Sequence, residues 1–143
     1  MLINWEKKFE TGISRIDKQH KQLVVIINKL HENVIIQKDG SLVNDLLMDL
    51  KIYTIDHFST EEKMMKKYNY SGEDEHIKEH QKFINKISEY LYDVNSSPLN
   101  QGNQLIEFLN NWIGNHILIH DLEYVTHFKK QKTFLAEIQT DIL

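Results

Sequence analysis

The chain has 143 residues, a formal net charge of -4, a hydrophobic fraction of 41% and a charged fraction of 27%, which is typical of a single globular domain, here residues 1–143. It contains no cysteine, which excludes disulfides, thiolate metal sites and a cysteine nucleophile. Its scattered lysines form no basic face for nucleic acid. Its first residues lack the pattern expected of a signal peptide, and no window approaches about 18 uninterrupted apolar residues. We therefore expect a cytoplasmic monomer with no nucleic-acid or membrane partner.

In chain order, glycine-containing breaks separate four segments of helical length. The segments span roughly residues 15–37, 41–68, 73–95 and 101–119, and in each of them apolar residues recur at three- and four-residue intervals. Four amphipathic helices joined by short loops predict an all-α, up-down-up-down four-helix bundle. Apolar residues within 122–143 also have helical spacing, which predicts a short C-terminal helix packed on the bundle.

Polar residues that can bind metal interrupt the apolar stripes of all four predicted helices. They are His20, His57, Glu61, His76, His80 and His116. Because an unpaired buried polar group costs about 1–3 kcal/mol, the set needs a shared explanation, and a bound metal is the simplest one. A single histidine on an apolar face is more often an ordinary hydrogen-bonded core residue, so it is the convergence from four helices that predicts a metal site.

Of the three further histidines, two are excluded by their positions in the chain and one is favoured by its spacing from His116. His31 lies eleven residues beyond His20, roughly 16 Å along the helix axis, and is too distant to share the site. His127 lies in the tail and is predicted to be solvated. His120 is four residues after His116, and on spacing alone it is a better ligand than the adjacent Asp121.

The ordered motifs resemble those of the bacterial hemerythrins. They are DKQHKQL at 17–23, HFSTEE at 57–62, HIKEH at 76–80 and NWIGNHILIHD at 111–121, preceded by GISRID. The resemblance runs from about Trp5 to Asp121, and it implies the same up-down bundle with a non-haem centre of two iron ions, joined by an oxo or hydroxo bridge. Carried over by matching motif, it implies that one iron is held by His76, His80 and His116, that the other is held by His20 and His57, and that Glu61 and Asp121 bridge them.

The sequence departs from the family pattern at His120, where a residue that cannot bind metal is common. Residues five apart on an ideal helix point roughly 140° apart, so Asp121 and His116 reach one site only if the helix frays or bulges. Two iron ions in a dry core need more negative charge than Glu61 and a solvent-derived bridge provide. We therefore predict that Asp121 is the ligand, with His120 beside the site or facing solvent.

The unequal histidine sets imply an open coordination position on the iron held by His20 and His57, where dioxygen can bind. The resemblance places apolar walls around that position, formed by Leu23, Phe58, Trp112 and Ile113. It implies reversible dioxygen binding for storage, delivery or scavenging, and no enzymatic activity. Two alternatives stay open: a di-iron oxidase, peroxidase or nitric oxide reductase, and a sensor of oxygen or redox state. Manganese or zinc also accepts nitrogen and carboxylate ligands.

Overall fold

The computed structural model describes residues 2–92 and 102–130, and over these ranges the chain contains helices and no β-strand. The α-helices are α1 (Ser14–His31), α2 (Val43–Lys67), α3 (Glu73–Tyr92), α4 (Gly102–Asn115) and α5 (Leu122–Lys129). Short 3-10 turns, Lys7–Phe9 and Gly40–Leu42, precede α1 and α2. Helix α2 packs against α1 and α3, and α1 packs against α4, so the predicted all-α four-helix bundle is confirmed.

Two π-helical segments extend the bundle helices, Glu32–Ile36 after α1 and His116–Asp121 after α4. The second segment joins α4 directly to α5, so this helix runs on past its predicted end at residue 119. No glycine or proline occurs between Asn115 and Lys130, and nothing in that stretch therefore breaks the helix. The predicted helical residues 93–95 and 101, and tail residues 131–143, lie outside the described ranges.

Asp17 fixes the point at which the first bundle helix begins. Its Oδ1 accepts hydrogen bonds from the backbone N–H and the hydroxyl of Thr11, both at 2.8 Å, and its Oδ2 accepts one from Gly12 N–H at 3.2 Å. Gly12 has a φ of +84°, a left-handed conformation that favours glycine. These contacts lie at the start of α1, and His20, three residues after Asp17, is fully buried.

Two apolar clusters fill the bundle, one on each side of a layer of buried polar residues. The larger cluster includes Leu23, Ile27, Leu50, Phe58, Phe83, Leu109 and Ile113. The smaller cluster comprises Ile13, Ile16, Met64, Met65, Tyr68, Tyr124, Val125 and Phe128. On α1, His20 lies between Ile16 of the smaller cluster and Leu23 of the larger one, and the same alternation on α2 places His57 and Glu61 in the polar layer.

None of the helices in the described ranges combines the length and the apolarity that crossing a lipid bilayer requires.

Candidate metal centre

All seven residues that the sequence predicts as metal ligands lie in this polar layer, and none of their side chains is more than 3% exposed. Helix α1 supplies His20, α2 supplies His57 and Glu61, α3 supplies His76 and His80, and the π-helical segment supplies His116 and Asp121. The five histidines all direct Nε2 towards a carboxylate oxygen of the layer. The bundle therefore brings five imidazoles and two carboxylates to one place.

The carboxylate of Glu61 lies between two groups of imidazoles. Its Oε1 is 2.8 Å from His57 Nε2 and 3.5 Å from His20 Nε2. Its Oε2 is 2.9 Å from His80 Nε2, and 3.4 Å from the Nε2 atoms of both His76 and His116. One oxygen thus faces the α1 side of the layer and the other faces α3, which is the arrangement that a bridging carboxylate requires.

Asp121 also contacts both sides of the layer. Its Oδ2 is 2.7 Å from His20 Nε2 and 3.1 Å from His116 Nε2, and its Oδ1 is 3.2 Å from His76 Nε2. The π-helical segment explains this position, because a backbone hydrogen bond from i to i+5 brings residues five apart onto one face. His120 is half-buried, with its ring centroid 5.9 Å from that of His76.

Two overlapping sets of side chains among the described residues can hold a metal ion. The first set is His20, His57, Glu61, His116 and Asp121, and the second is Glu61, His76, His80 and His116. Within each set the ligand atoms lie within 4.8 Å of one another. Glu61 and His116 belong to both sets, so the geometry allows His116 on either side, whereas the family resemblance implies that it binds with His76 and His80.

Several buried atoms of the layer lack a hydrogen-bond partner of acceptable geometry. They include Nε2 of His20, His57, His80 and His116, and both carboxylate oxygens of Asp121. Each such atom costs about 1–3 kcal/mol when it is left unsatisfied in the protein interior. Imidazole nitrogen together with carboxylate oxygen is a donor set that suits iron, manganese or zinc, so a metal cation fits these residues.

The electrostatics of the layer favour ionised carboxylates and the protonated forms of His76 and His116, whereas burial lowers the pKa of His57. Burial lowers the pKa of both His76 and His116, but the close Asp121 and Glu61 carboxylates outweigh it and raise the pKa to about 9 and about 10, respectively. Burial raises the pKa of the Glu61 carboxyl, yet the imidazoles of His57 and His116 outweigh burial and hold that pKa well below its ordinary value. Protons and metal cations therefore compete for the same nitrogen atoms.

Four residues that sequence reasoning missed make hydrogen bonds to the predicted ligands or support such bonds. The His57 Nδ1–H donates to Gln19 Oε1 at 2.7 Å, and Gln19 Nε2 donates to Thr60 Oγ1 at 3.2 Å. On the opposite side, His80 Nδ1–H donates to Glu62 Oε1 at 2.9 Å. The Tyr124 hydroxyl donates to Glu61 Oε1 at 2.9 Å.

A signal for three of these partners exists in the sequence, since each is close to a predicted ligand. Gln19 precedes His20, Glu62 follows Glu61, and Tyr124 is three residues after Asp121. Residues three apart lie on neighbouring parts of one helix face, so Tyr124 becomes a candidate once the helix is known to continue beyond residue 119.

Aromatic and apolar side chains cover the layer on the side of the larger cluster. The Phe58 ring stacks on His80, with centroids 3.8 Å apart and an interplanar angle of 6°. The half-buried Trp112 stacks on His116 at 4.4 Å and 13°. Leu23 and Ile113 are buried in the same cluster. The four residues predicted to wall the open position thus lie on one side of the layer.

The two histidines that spacing excludes lie outside the metal-binding sets found among the described residues. His31 is half-buried at the end of α1. The prediction that His127 is solvated is wrong, because its ring is half-buried and its Nε2–H donates to the Tyr68 carbonyl at 3.1 Å. The continuation of the last helix into α5 places His127 against the end of α2.

The sequence matches the family model described as the Hemerythrin HHE cation binding domain over residues 11–128. It is 35% identical over 137 residues to the bacteriohemerythrin of Pseudomonas aeruginosa strain LESB58, covering 96% of this chain and 88% of that protein. It is 34% identical over 120 residues to the myohemerythrin of Riftia pachyptila, covering 84% of this chain and 88% of that protein. A solved structure of a mutant protein, 27% identical, superimposes with a TM-score of 0.74 over 87% of this chain and 95% of that one.

Proposed function

This chain belongs to the hemerythrin family, and we propose that it binds dioxygen reversibly at a non-haem di-iron centre, for oxygen storage, delivery or scavenging. One observation carries the proposal. Glu61 and Asp121 each have one carboxylate oxygen close to His57 or His20 and the other oxygen close to His80 or His76, within a buried layer of five imidazoles. Two carboxylates in that position can bridge two cations, and imidazole-rich surroundings suit iron.

In the proposed centre, each ion has its own imidazoles and both ions share the carboxylates. His76, His80 and His116 hold one ion, His20 and His57 hold the other, and Glu61 and Asp121 bridge them. The overlapping sets of close ligand atoms support a division between two ions, and the resemblance of the motifs supports placing His116 with His76 and His80. Bound iron would supply two electrons to dioxygen and the coordination position at which dioxygen binds.

The surrounding residues keep the site dry and hold its ligands in place. Phe58 and Trp112 stack on the imidazoles of His80 and His116, and such contacts restrict the rotation of the rings. Leu23 and Ile113 belong to the apolar cluster on the same side, where water is excluded. We propose that these four side chains would wall the dioxygen position and exclude the water and protons that promote autoxidation, in which dioxygen carries away electrons from the iron.

The test is a cycle of oxygenation and deoxygenation without added reductant. The protein is loaded with ferrous iron anaerobically, its iron content is measured, and it is mixed with limiting dioxygen in a stopped-flow instrument before the gas is removed. A carrier should hold two irons, bind one dioxygen per chain and return to its reduced spectrum over repeated cycles. A di-iron enzyme would instead consume a supplied reductant continuously and form peroxide or water, and that result would overturn the proposal.

We also propose that the protein acts as a monomer in the cytoplasm, which suits a chain without cysteine. Light scattering of the iron-loaded protein and fractionation of cells that express it would test these two points separately.

A further inference from the structure

The hydrogen bonds behind the metal-facing imidazoles differ between the two sides of the centre. His57 and His80 both direct Nε2 to Glu61, so their Nδ1 atoms carry the protons and donate them outward. The acceptor behind His80 is the carboxylate of Glu62 at 2.9 Å, and the acceptor behind His57 is the amide oxygen of Gln19 at 2.7 Å. One side therefore has an anionic acceptor and the other a neutral one.

The neutral acceptor is held in one orientation. Gln19 is only 6% exposed, and its Nε2 donates to Thr60 Oγ1 at 3.2 Å. The Thr60 hydroxyl in turn donates to the backbone carbonyl of Asp56 at 3.2 Å, so its oxygen is free to accept from the amide. Rotation of the amide by 180° would break the bonds to both His57 and Thr60. The structure thus fixes a carbonyl oxygen behind His57.

The hydrogen bond from Tyr124 adds to the same difference. Its hydroxyl donates at 2.9 Å to Glu61 Oε1, which is also the oxygen 2.8 Å from His57 Nε2. The oxygen on the His80 side is Oε2. A hydrogen bond to a carboxylate oxygen draws electron density from it, so Tyr124 weakens the donor oxygen on the His57 side.

Each of these contacts changes how well a ligand stabilises the higher charge of a ferric ion. A carboxylate that accepts the proton of a ligating imidazole makes that imidazole a stronger donor, and its negative charge also stabilises ferric iron. An amide oxygen has a weaker effect, and a donor to a bridging carboxylate acts in the opposite direction. The three contacts therefore all favour ferric iron beside His80 over ferric iron beside His57.

On the basis of the proposed di-iron centre, we propose that Glu62, Gln19 and Tyr124 are positioning residues that give the two irons different reduction potentials. The iron held by His80 is the more easily oxidised, and the iron held by His57 is the more readily kept ferrous. Loss of one electron to an outside oxidant then leaves a ferric ion beside His80 and a ferrous ion at the position proposed to bind dioxygen.

The test measures the stability of the mixed-valence state, in which one iron is ferrous and one ferric. The iron-loaded chain is titrated with redox mediators, and optical and electron paramagnetic resonance signals give the comproportionation constant, which rises as the two potentials separate. Glu62→Gln and Gln19→Glu are nearly isosteric exchanges that make the two acceptors alike. Each should lower the constant about tenfold, which brings the potentials about 59 mV closer for a one-electron couple. Tyr124→Phe should also lower it.

A matched control separates the hydrogen bond from a general loss of charge. Glu89 is on α3, 69% exposed, and pairs with Lys86 at 3.5 Å. Glu89→Gln also removes one negative charge, but at a position roughly 13 Å along α3 from His80, so it should leave the constant unchanged. If Gln19→Glu does not fold, Glu62→Gln still decides the question.

Two results would contradict the inference while leaving the proposed function intact. The first is Glu62→Gln protein that holds two irons and has the same comproportionation constant as the wild type. The second is a Glu89→Gln control whose constant changes as much as that of Glu62→Gln. A chain that binds no pair of irons would overturn both the inference and the proposed function.

Discussion

His116 and Asp121 lie five residues apart at the two ends of one π-helical segment, yet His116 Nε2 is 3.1 Å from Asp121 Oδ2. An α-helix would direct these side chains to different faces, roughly 140° apart. The π-helical hydrogen-bond pattern brings them together, and it leaves His120 half-buried beside the layer. A change in backbone hydrogen bonding therefore selects which of two adjacent residues enters the site.

The first prediction concerns this choice. Asp121→Ala should lower the affinity for iron by more than about tenfold, since loss of even an outer partner of a metal ligand has effects of that size. His120→Ala should keep the iron content and the oxygenated spectrum of the wild type. Metal analysis after desalting, with circular dichroism to verify folding, provides the measurement. If His120→Ala loses iron and Asp121→Ala keeps it, the proposed ligand set is wrong.

The second prediction is a dependence of stability on pH that exists only without metal. In the metal-free protein, the pKa values of His76 and His116 are raised from 6.5 to about 9 and about 10. Their protonated forms therefore stabilise the fold fully below pH 6.5, and this stabilisation is lost as the pH rises through 9 and 10. The melting temperature of chelator-treated protein should fall over that interval.

Iron-loaded protein should lack this fall, because iron replaces the protons on the same nitrogen atoms. His116→Gln should reduce the slope in the metal-free protein. Melting temperatures of the two forms, measured side by side between pH 6 and pH 10, test the prediction. The same dependence of melting temperature on pH with and without metal would refute it.

The third prediction compares two glycines of α4. A Cβ atom at Gly102 would clash with Val34 Cγ1, whereas a Cβ atom at Gly114 would meet nothing within 4 Å. Valine rotates poorly about χ1, so Gly102→Ala should destabilise the protein by about 1–3 kcal/mol through overpacking. Gly114→Ala should stabilise it by about 1 kcal/mol because alanine is the better helix former. Urea unfolding of both variants measures the difference, and equal effects would show that α4 does not approach Val34 this closely.

The fourth prediction concerns the proposed walls of the dioxygen position. Leu23→Ala and Ile113→Ala should keep both irons but admit water, so the oxygenated form should decay to the diferric state faster. A loss of about 2–5 kcal/mol in stability is expected as well, because buried leucine and isoleucine side chains are removed.

Leu30→Ala is the matched control for Leu23→Ala. Both leucines are fully buried in the larger cluster and on α1, but Leu30 is roughly 10 Å further along the helix. The control should lose similar stability without a faster decay. If all three variants decay at one rate, the proposed walls do not protect the site.

The helices and the residues of the polar layer could be predicted because both depend on spacing along the chain. Apolar positions at helical intervals set which face of each helix is buried, and His20, His57 and His80 occupy such positions. The π-helical segment could not be read in this way, since a shift from i+4 to i+5 hydrogen bonds leaves no mark in the apolar spacing.

The partners behind the imidazoles depend on how far each helix is rotated in the bundle. Gln19 reaches His57 from a different helix, across 38 positions of the sequence, and Glu62 reaches His80 across 18. Proximity to a predicted ligand in the sequence draws attention to Gln19 and Glu62, but which imidazole each of them contacts follows only from the packed structure. The burial of His127 could not be predicted for the same reason, because its contact with the Tyr68 carbonyl depends on the position of α5 relative to the end of α2.

The polar layer also separates the apolar packing of the described residues into two clusters, and we expect these clusters to behave as two cooperative units once the metal is removed. The smaller apolar cluster joins the start of α1, the end of α2 and α5, and the larger one holds the rest of the bundle. Across the boundary the chain supplies mainly imidazoles and carboxylates, so apolar packing alone couples the two units weakly. A metal bound by residues of all four bundle helices would couple the two units through its coordination bonds. Its removal should let the smaller unit open by itself at a lower free energy than global unfolding.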